Sequence, residues 1–226
     1  MKKLMAIFLM MSLFSVSCNK SDGGSSSNQT SQGAPVTGDE TPPSNTPPVT
    51  PPLVTGPLPA QAYTFDSNIT LVGFTAAQEE KYNKAIEIVK LVVATEKFRN
   101  DVLNFTYAGQ KAFIDNKGRT NAQIYQTILD AAESLQPAKN NTMDLEVELY
   151  YAANSVVGYT NVGTKRIWVN TKFFNSYQEN SVAGNLFHEW LHKLGYSHAS
   201  TATTTRPYSV PYAIGYMMSS IGKNFL

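Results

Sequence analysis

From about residue 61 onward the apolar positions fall into two rhythms, one of about 3.6 residues and one of two, and the switches between them outline successive elements. Tyr82, Ile86, Val89, Val93 and Phe98 recur at helical spacing. They predict one long helix from about Ala76 to Arg99, with Thr75 as N-cap and Gln78 completing a capping box. A turn at Asn116-Lys117-Gly118-Arg119 precedes a second predicted helix over Asn121 to Leu135, carried by Ile124, Ile128, Ala131 and Leu135 and ending before Pro137. The period then changes. Leu145, Val147, Leu149 and Tyr151 alternate with Glu146, Glu148 and Tyr150, the pattern of a strand with one wet face, which favours solvated carboxylates over metal ligands for both glutamates. Val156 to Thr160 and Lys165 to Asn170 flank Asn161-Val162-Gly163-Thr164 as the arms of a hairpin. A further helix starts at Asn180 or Ser181 and offers Val182, Leu186, Trp190, Leu191 and Leu194 to a core. Beyond it, Pro211 opens a run in which Ile214, Met217, Met218, Ile221 and Phe225 recur like the inner face of a terminal helix.

The first sixty residues have neither rhythm. Met1-Lys2-Lys3 and the apolar run Leu4 to Val16 read as an export signal over residues 1–17, with an apolar stretch too short to stay in a bilayer as a spanning helix. Ser15-Val16-Ser17-Cys18 resembles a bacterial lipobox, with Ser15 where a leucine is usual. The resemblance implies acylation of Cys18 and a lipoprotein anchored to the membrane, in the periplasm or at the cell surface; plain secretion is the alternative. Residues 18–60 are rich in Ser, Gly, Thr and Pro, including Thr41-Pro42-Pro43, Thr46-Pro47-Pro48 and Thr50-Pro51-Pro52. Such a stretch has too little apolar surface to offset its ordering entropy, so it reads as a tether to a single domain at 61–226.

Charge and cysteine content narrow the partners. The chain carries 18 basic and 17 acidic residues, and removal of Lys2 and Lys3 leaves 16 against 17, which points away from nucleic acid and from a basic membrane-surface patch. Cys18 is the single cysteine, so no internal disulfide is available and an apolar core must hold the domain. A monomer is expected.

The chemistry is concentrated in His188-Glu189-Trp190-Leu191-His192-Lys193-Leu194-Gly195-Tyr196-Ser197-His198. Histidines four apart stack on one helix face, so His188 and His192 can reach one cation with Glu189 beside it. Gly195 is the residue type that takes a left-handed backbone cheaply, ends the helix and brings His198 back as a third nitrogen. All 3 histidines of the chain fall in these eleven residues, a clustering that a structural role for core histidines does not require.

Every fixed position of this stretch matches the H-E-x-x-H-x-x-G-x-x-H signature, and the chain here resembles the metzincin metallopeptidases. The resemblance implies Zn2+ held by His188, His192 and His198, with Glu189 as general base. It implies an α+β, zincin-like domain in which a small antiparallel or mixed sheet precedes the zinc helix. It also implies an antiparallel edge strand, best matched by Val156 to Thr160, that pairs with an extended peptide substrate, and a Met-turn for which Met217 is preferred over Met218. Tyr208, Tyr212 and Tyr216 are in range to assist at the metal. Other HExxH classes take a later Glu or Asp as ligand, and none occurs between Lys193 and Leu226. The expected function is zinc-dependent hydrolysis of peptide bonds. Hydrolysis of cell-wall peptide or amide bonds, and a non-catalytic zinc-stabilised surface lipoprotein, are the alternatives.

Overall fold

The structure, a computed structural model, describes residues 65–226, so the expected export signal, Cys18 and the expected tether lie outside the described residues. Among the described residues the chain forms strand β1 (Asp66–Val72), helices α1 (Ala76–Val93), α2 (Glu96–Leu103) and α3 (Asn121–Asp130), strands β2 (Thr142–Tyr150), β3 (Gly158–Thr160) and β4 (Arg166–Asn170), and helices α4 (Thr171–Phe174), α5 (Glu179–Lys193) and α6 (Val210–Gly222). This is an α+β arrangement with a mixed four-stranded sheet of order β1-β2-β4-β3. None of the helices described is long and apolar enough to cross a membrane.

The long first helix is in fact two. Thr95 is buried, its hydroxyl donates to the Val92 carbonyl at 2.7 Å, and the same oxygen accepts the Phe98 N–H at 3.1 Å. A threonine hydroxyl competes with the helical ladder. Here it closes α1 and caps α2 together, and Phe98 belongs to the second helix. Thr75 does cap α1 with Gln78 in a capping box.

The second predicted helix is shorter than its periodicity suggests. Ala131 takes a left-handed backbone with φ 49°, α3 stops at Asp130, and Leu135 is 48% exposed. The stop turns Glu133 inward, where one carboxylate oxygen accepts the Trp190 indole N–H at 2.8 Å and the Asp144 backbone N–H at 3.1 Å.

The sheet is parallel from β1 through β2 to β4, while β3 returns antiparallel to β4 at one edge. The hairpin matches the sequence pattern with slightly shorter arms than expected, and β3 lies at the sheet edge, where the resemblance put Val156 to Thr160. Strand β1 went unread although Ile69 and Leu71 alternate with Asn68 and Thr70; they pair in register with Leu145 and Val147 on the core face. Glu146 and Glu148 lie on the other face, and Arg166 holds them at 2.9 and 2.6 Å. They are therefore paired carboxylates and do not belong to the histidine group.

Helix α5 crosses the core with Val182, Leu186, Trp190, Leu191 and Leu194 buried as expected, and it begins at a Gln178 N-cap, slightly earlier than the sequence suggested. Helix α6 lies hard against it. A Cβ built on Gly184 would sit 2.8 Å from the Ser219 Cβ and 2.9 Å from the Gly215 carbonyl, and one on Gly215 would sit 3.2 Å from the His188 Cβ. The crossing is that close only because both positions lack a side chain.

Candidate metal centre

Positions 184, 188 and 192 form one stripe of α5 and positions 185, 189 and 193 the next, about 100° round the helix. His188 and His192 are buried on the first stripe, facing α6. Gly195 then takes φ +91°, its N–H donates to the His192 carbonyl at 3.0 Å, and the Tyr196 N–H donates to the Leu191 carbonyl at 3.1 Å. Those two bonds are a Schellman stop. It turns the chain back, as the glycine implied, and delivers His198 to the other two histidines.

The three rings converge. His188 Nε2 lies 3.2 Å from His198 Nε2 and 3.3 Å from His192 Nε2, and the three residues offer ligand atoms all within 4.8 Å of one another. Two ligands on a tetrahedral ion with bonds of about 2.0–2.1 Å stand roughly 3.3 Å apart, so the spacing fits such an ion. The tautomers agree. His192 Nδ1 is 2.9 Å from the Tyr196 carbonyl and His198 Nδ1 is 2.9 Å from the Ala199 carbonyl. A carbonyl only accepts, so each Nδ1 carries the proton and each Nε2 turns a lone pair toward the common point. These residues could hold a metal ion.

Glu189 is buried on the adjacent stripe. Its charge is felt on three sides. Burial first, then Glu189, pushes the Tyr82 hydroxyl far up, and burial, Tyr159 and Glu189 together push Tyr150 up to about 12. Burial pulls the Lys193 ammonium down to about 8, with Glu189 opposing that shift.

The layer below the histidines differs from the one the resemblance implied. Met217 and Met218 both lie within α6, with Met218 in the core, so neither sits on a tight turn. Pro211 at the start of that helix and the unbroken run behind it are why: the segment has a helix's apolar period and no glycine-rich stop after the third histidine. Tyr212 occupies the place instead. Its ring centroid is 4.6 Å from that of His188 and 4.7 Å from that of His198, and the buried Arg206 guanidinium lies 4.9 Å over the same ring. Arg206 also donates to the Ser200 carbonyl at 3.4 Å, tying down the loop after His198.

Sequence reasoning missed Lys193, Asn185, Arg206 and the Tyr196 carbonyl. The lysine had a signal: it lies four residues past Glu189 on a helix whose other positions are apolar or candidate ligands. The Tyr196 carbonyl follows from the glycine stop once its hydrogen bonds are written out. The chain matches no protein-family model, no curated protein and no solved structure.

Proposed function

We propose that the chain is a zinc-dependent endopeptidase of metzincin type, exported and anchored through Cys18, whose described domain is zincin-like. The observation that carries this reading is the convergence of the three Nε2 atoms at 3.2 and 3.3 Å, with two of the rings held in the right tautomer by backbone carbonyls. Three histidines with no further His, Cys, Asp or Glu joining them among the described residues match the ligand set of catalytic zinc sites, whereas structural zinc is usually closed by four. The antiparallel edge strand β3, and parallel strands leading into the metal helix, support the zincin-like scaffold.

Bound there, Zn2+ supplies Lewis-acid polarisation of a carbonyl and makes a water acidic enough to deprotonate near neutral pH. Glu189, next to His188 on the helix, would be the group that accepts a proton from the attacking water and returns it to the departing amine. His192 and His198 would hold the ion through Nε2, since their Nδ1 protons are committed to the Tyr196 and Ala199 carbonyls. An extended peptide would pair its backbone with the open side of β3, which would account for peptides as substrates.

The test uses the exported full-length protein, its metal content after dialysis, and a chelator-sensitive screen over casein, a peptide library and peptidoglycan. One zinc per chain and cleavage of protein or peptide are expected, and Glu189→Gln retains the zinc while losing about 100- to 10,000-fold in rate. Cleavage of peptidoglycan alone would move the substrate class to cell-wall amides. A zinc-loaded protein that cuts none of the three, or a Glu189→Gln variant at the wild-type rate, would refute the assignment.

A further inference from the structure

The second stripe of α5 carries more than Glu189. Lys193, 3% exposed, donates to the carbonyls of Asn161 at 2.8 Å, Thr164 at 2.7 Å and Arg166 at 2.8 Å, all within the β3–β4 connection and the start of β4. An ammonium has three donors, and burying one is costly unless each finds an acceptor. Here each does. Eight residues earlier on the same stripe, Asn185 meets β3: a Cβ built on Gly158 would lie 2.9 Å from the Asn185 Oδ1 and 3.1 Å from the Trp168 carbonyl. The hairpin thus touches α5 at both ends of its short arm, with Glu189 midway between the two contacts.

A strand of 3 residues at a sheet edge is paired on one side only, so by itself it frays. We propose that Lys193, with the Asn185–Gly158 contact, clamps the β3–β4 hairpin to the metal helix and so fixes the register of the edge strand against Glu189, making Lys193 a positioning residue for extended substrates. The proposal rests on the peptidase reading for its substrate and on geometry alone for the clamp. A substrate strand paired to β3 is placed by backbone hydrogen bonds, and its scissile bond reaches Glu189 only if β3 cannot shift along or lift from the helix.

Lys193→Met in the zinc-loaded, full-length protein keeps the aliphatic stem and removes the donors. Backbone amides from Gly158 to Asn170 should exchange with solvent at least about tenfold faster, with those of α5 and the zinc content unchanged. On a peptide extending four residues either side of the cut, kcat/KM should fall about tenfold, chiefly through KM, while a substrate with one residue on each side is cleaved as before. Lys193→Arg should not rescue, because a planar fork cannot address three carbonyls gathered about one nitrogen. Unchanged exchange in the hairpin overturns the clamp, and equal losses on long and short substrates overturn the positioning role. A wild-type protein that cleaves nothing would sink the peptidase reading alone, and the exchange measurement would still decide the clamp. Should Lys193→Met fail to fold, Gly158→Ala loosens the other contact and is read in the same two ways.

Discussion

The closeness of α5 and α6 can be tested by adding one methyl group, Gly184→Ala. Its Cβ would stand 2.8 Å from the Ser219 Cβ and 2.9 Å from the Gly215 carbonyl oxygen. Carbon contacts are comfortable at about 3.5–4.0 Å, so the helices must part by roughly 0.7–1 Å. Neither obstructing atom is the tip of a flexible side chain, so neither can swing aside. Two effects oppose each other. Alanine is the better helix former by about 1 kcal/mol, whereas forcing a methyl into a packed contact costs about 1–3 kcal/mol. With backbone and Cβ atoms as the obstacles the upper part of that range applies, and a net loss of about 1–2 kcal/mol is expected. Separation also carries Tyr212 away from the His188 and His198 rings, and loss of support behind metal ligands weakens binding by about 10-fold or more. Urea unfolding of the metal-free protein reads the first quantity, and zinc competition against a chromophoric chelator reads the second. A Gly184→Ala variant more stable by about 1 kcal/mol, with unchanged zinc affinity, would mean propensity alone acts and the close crossing is wrong.

Gly195→Ala forces a side chain into φ +91°, a left-handed backbone that costs about 1–2 kcal/mol for other residues, and misplaces His198. Lower thermal stability and faster zinc loss to a chelator should appear together; normal zinc retention would show that the turn does not position the third ligand. Glu133 supplies the pH test: burial raises its carboxyl, and the Trp190 and Asp144 N–H bonds only partly offset that. A folded value above the unfolded one favours the folded state fully below the ordinary carboxylate range, and this contribution is lost as pH rises through the raised value. Glu133→Gln keeps an acceptor for the indole and removes the buried charge, so it should be more stable than the wild type at pH 7 and no more stable at pH 4. Urea midpoints between pH 4 and 8 that run parallel for the two proteins would refute this.

The metal centre was more legible than the scaffold because its information is local. His188, His192 and Gly195 act through one helix and its stop, where spacing along the chain is spacing in space. The hairpin was legible for the same reason, through Asn161-Val162-Gly163-Thr164. Thr95 was not. Its hydroxyl could continue a helix or end one, and a period that runs from Tyr82 to Phe98 does not register a cap in its middle. Ala131 was hidden likewise: nothing local marks a left-handed alanine, and the reason to stop there is Trp190, far along the chain, waiting for Glu133. Strand β1 pairs with β2 in parallel, a contact fixed by the crossover through three helices rather than by any turn sequence. Met217 was drawn toward the metal by the family resemblance, while the apolar period after Pro211 pointed to the helix that the structure contains.

Helix α5 buries 12 of its 15 residues, and it is unusual that two histidines, a glutamate and a lysine are among the buried ones. A helix buried on all sides gains nothing in solubility from such residues, and each costs free energy unless it is satisfied. The way each is satisfied therefore says what it is there for. Lys193 is met by three carbonyls of the hairpin, and His192 is met at Nδ1 by the turn it helps to end. The other ring edges face one another with Nε2 atoms at 3.2 and 3.3 Å, a spacing that either an N–H···N bond or a cation held among them satisfies. The 3.6-residue repeat then divides the work. The stripe holding the histidines is seated on α6 and Tyr212, and the stripe holding Glu189 is seated on the β3–β4 hairpin, whose outer edge would receive substrate under the proposed function. Because consecutive residues fall on neighbouring stripes, His-Glu is the shortest sequence that can place a metal ligand and a base at the junction of the two walls.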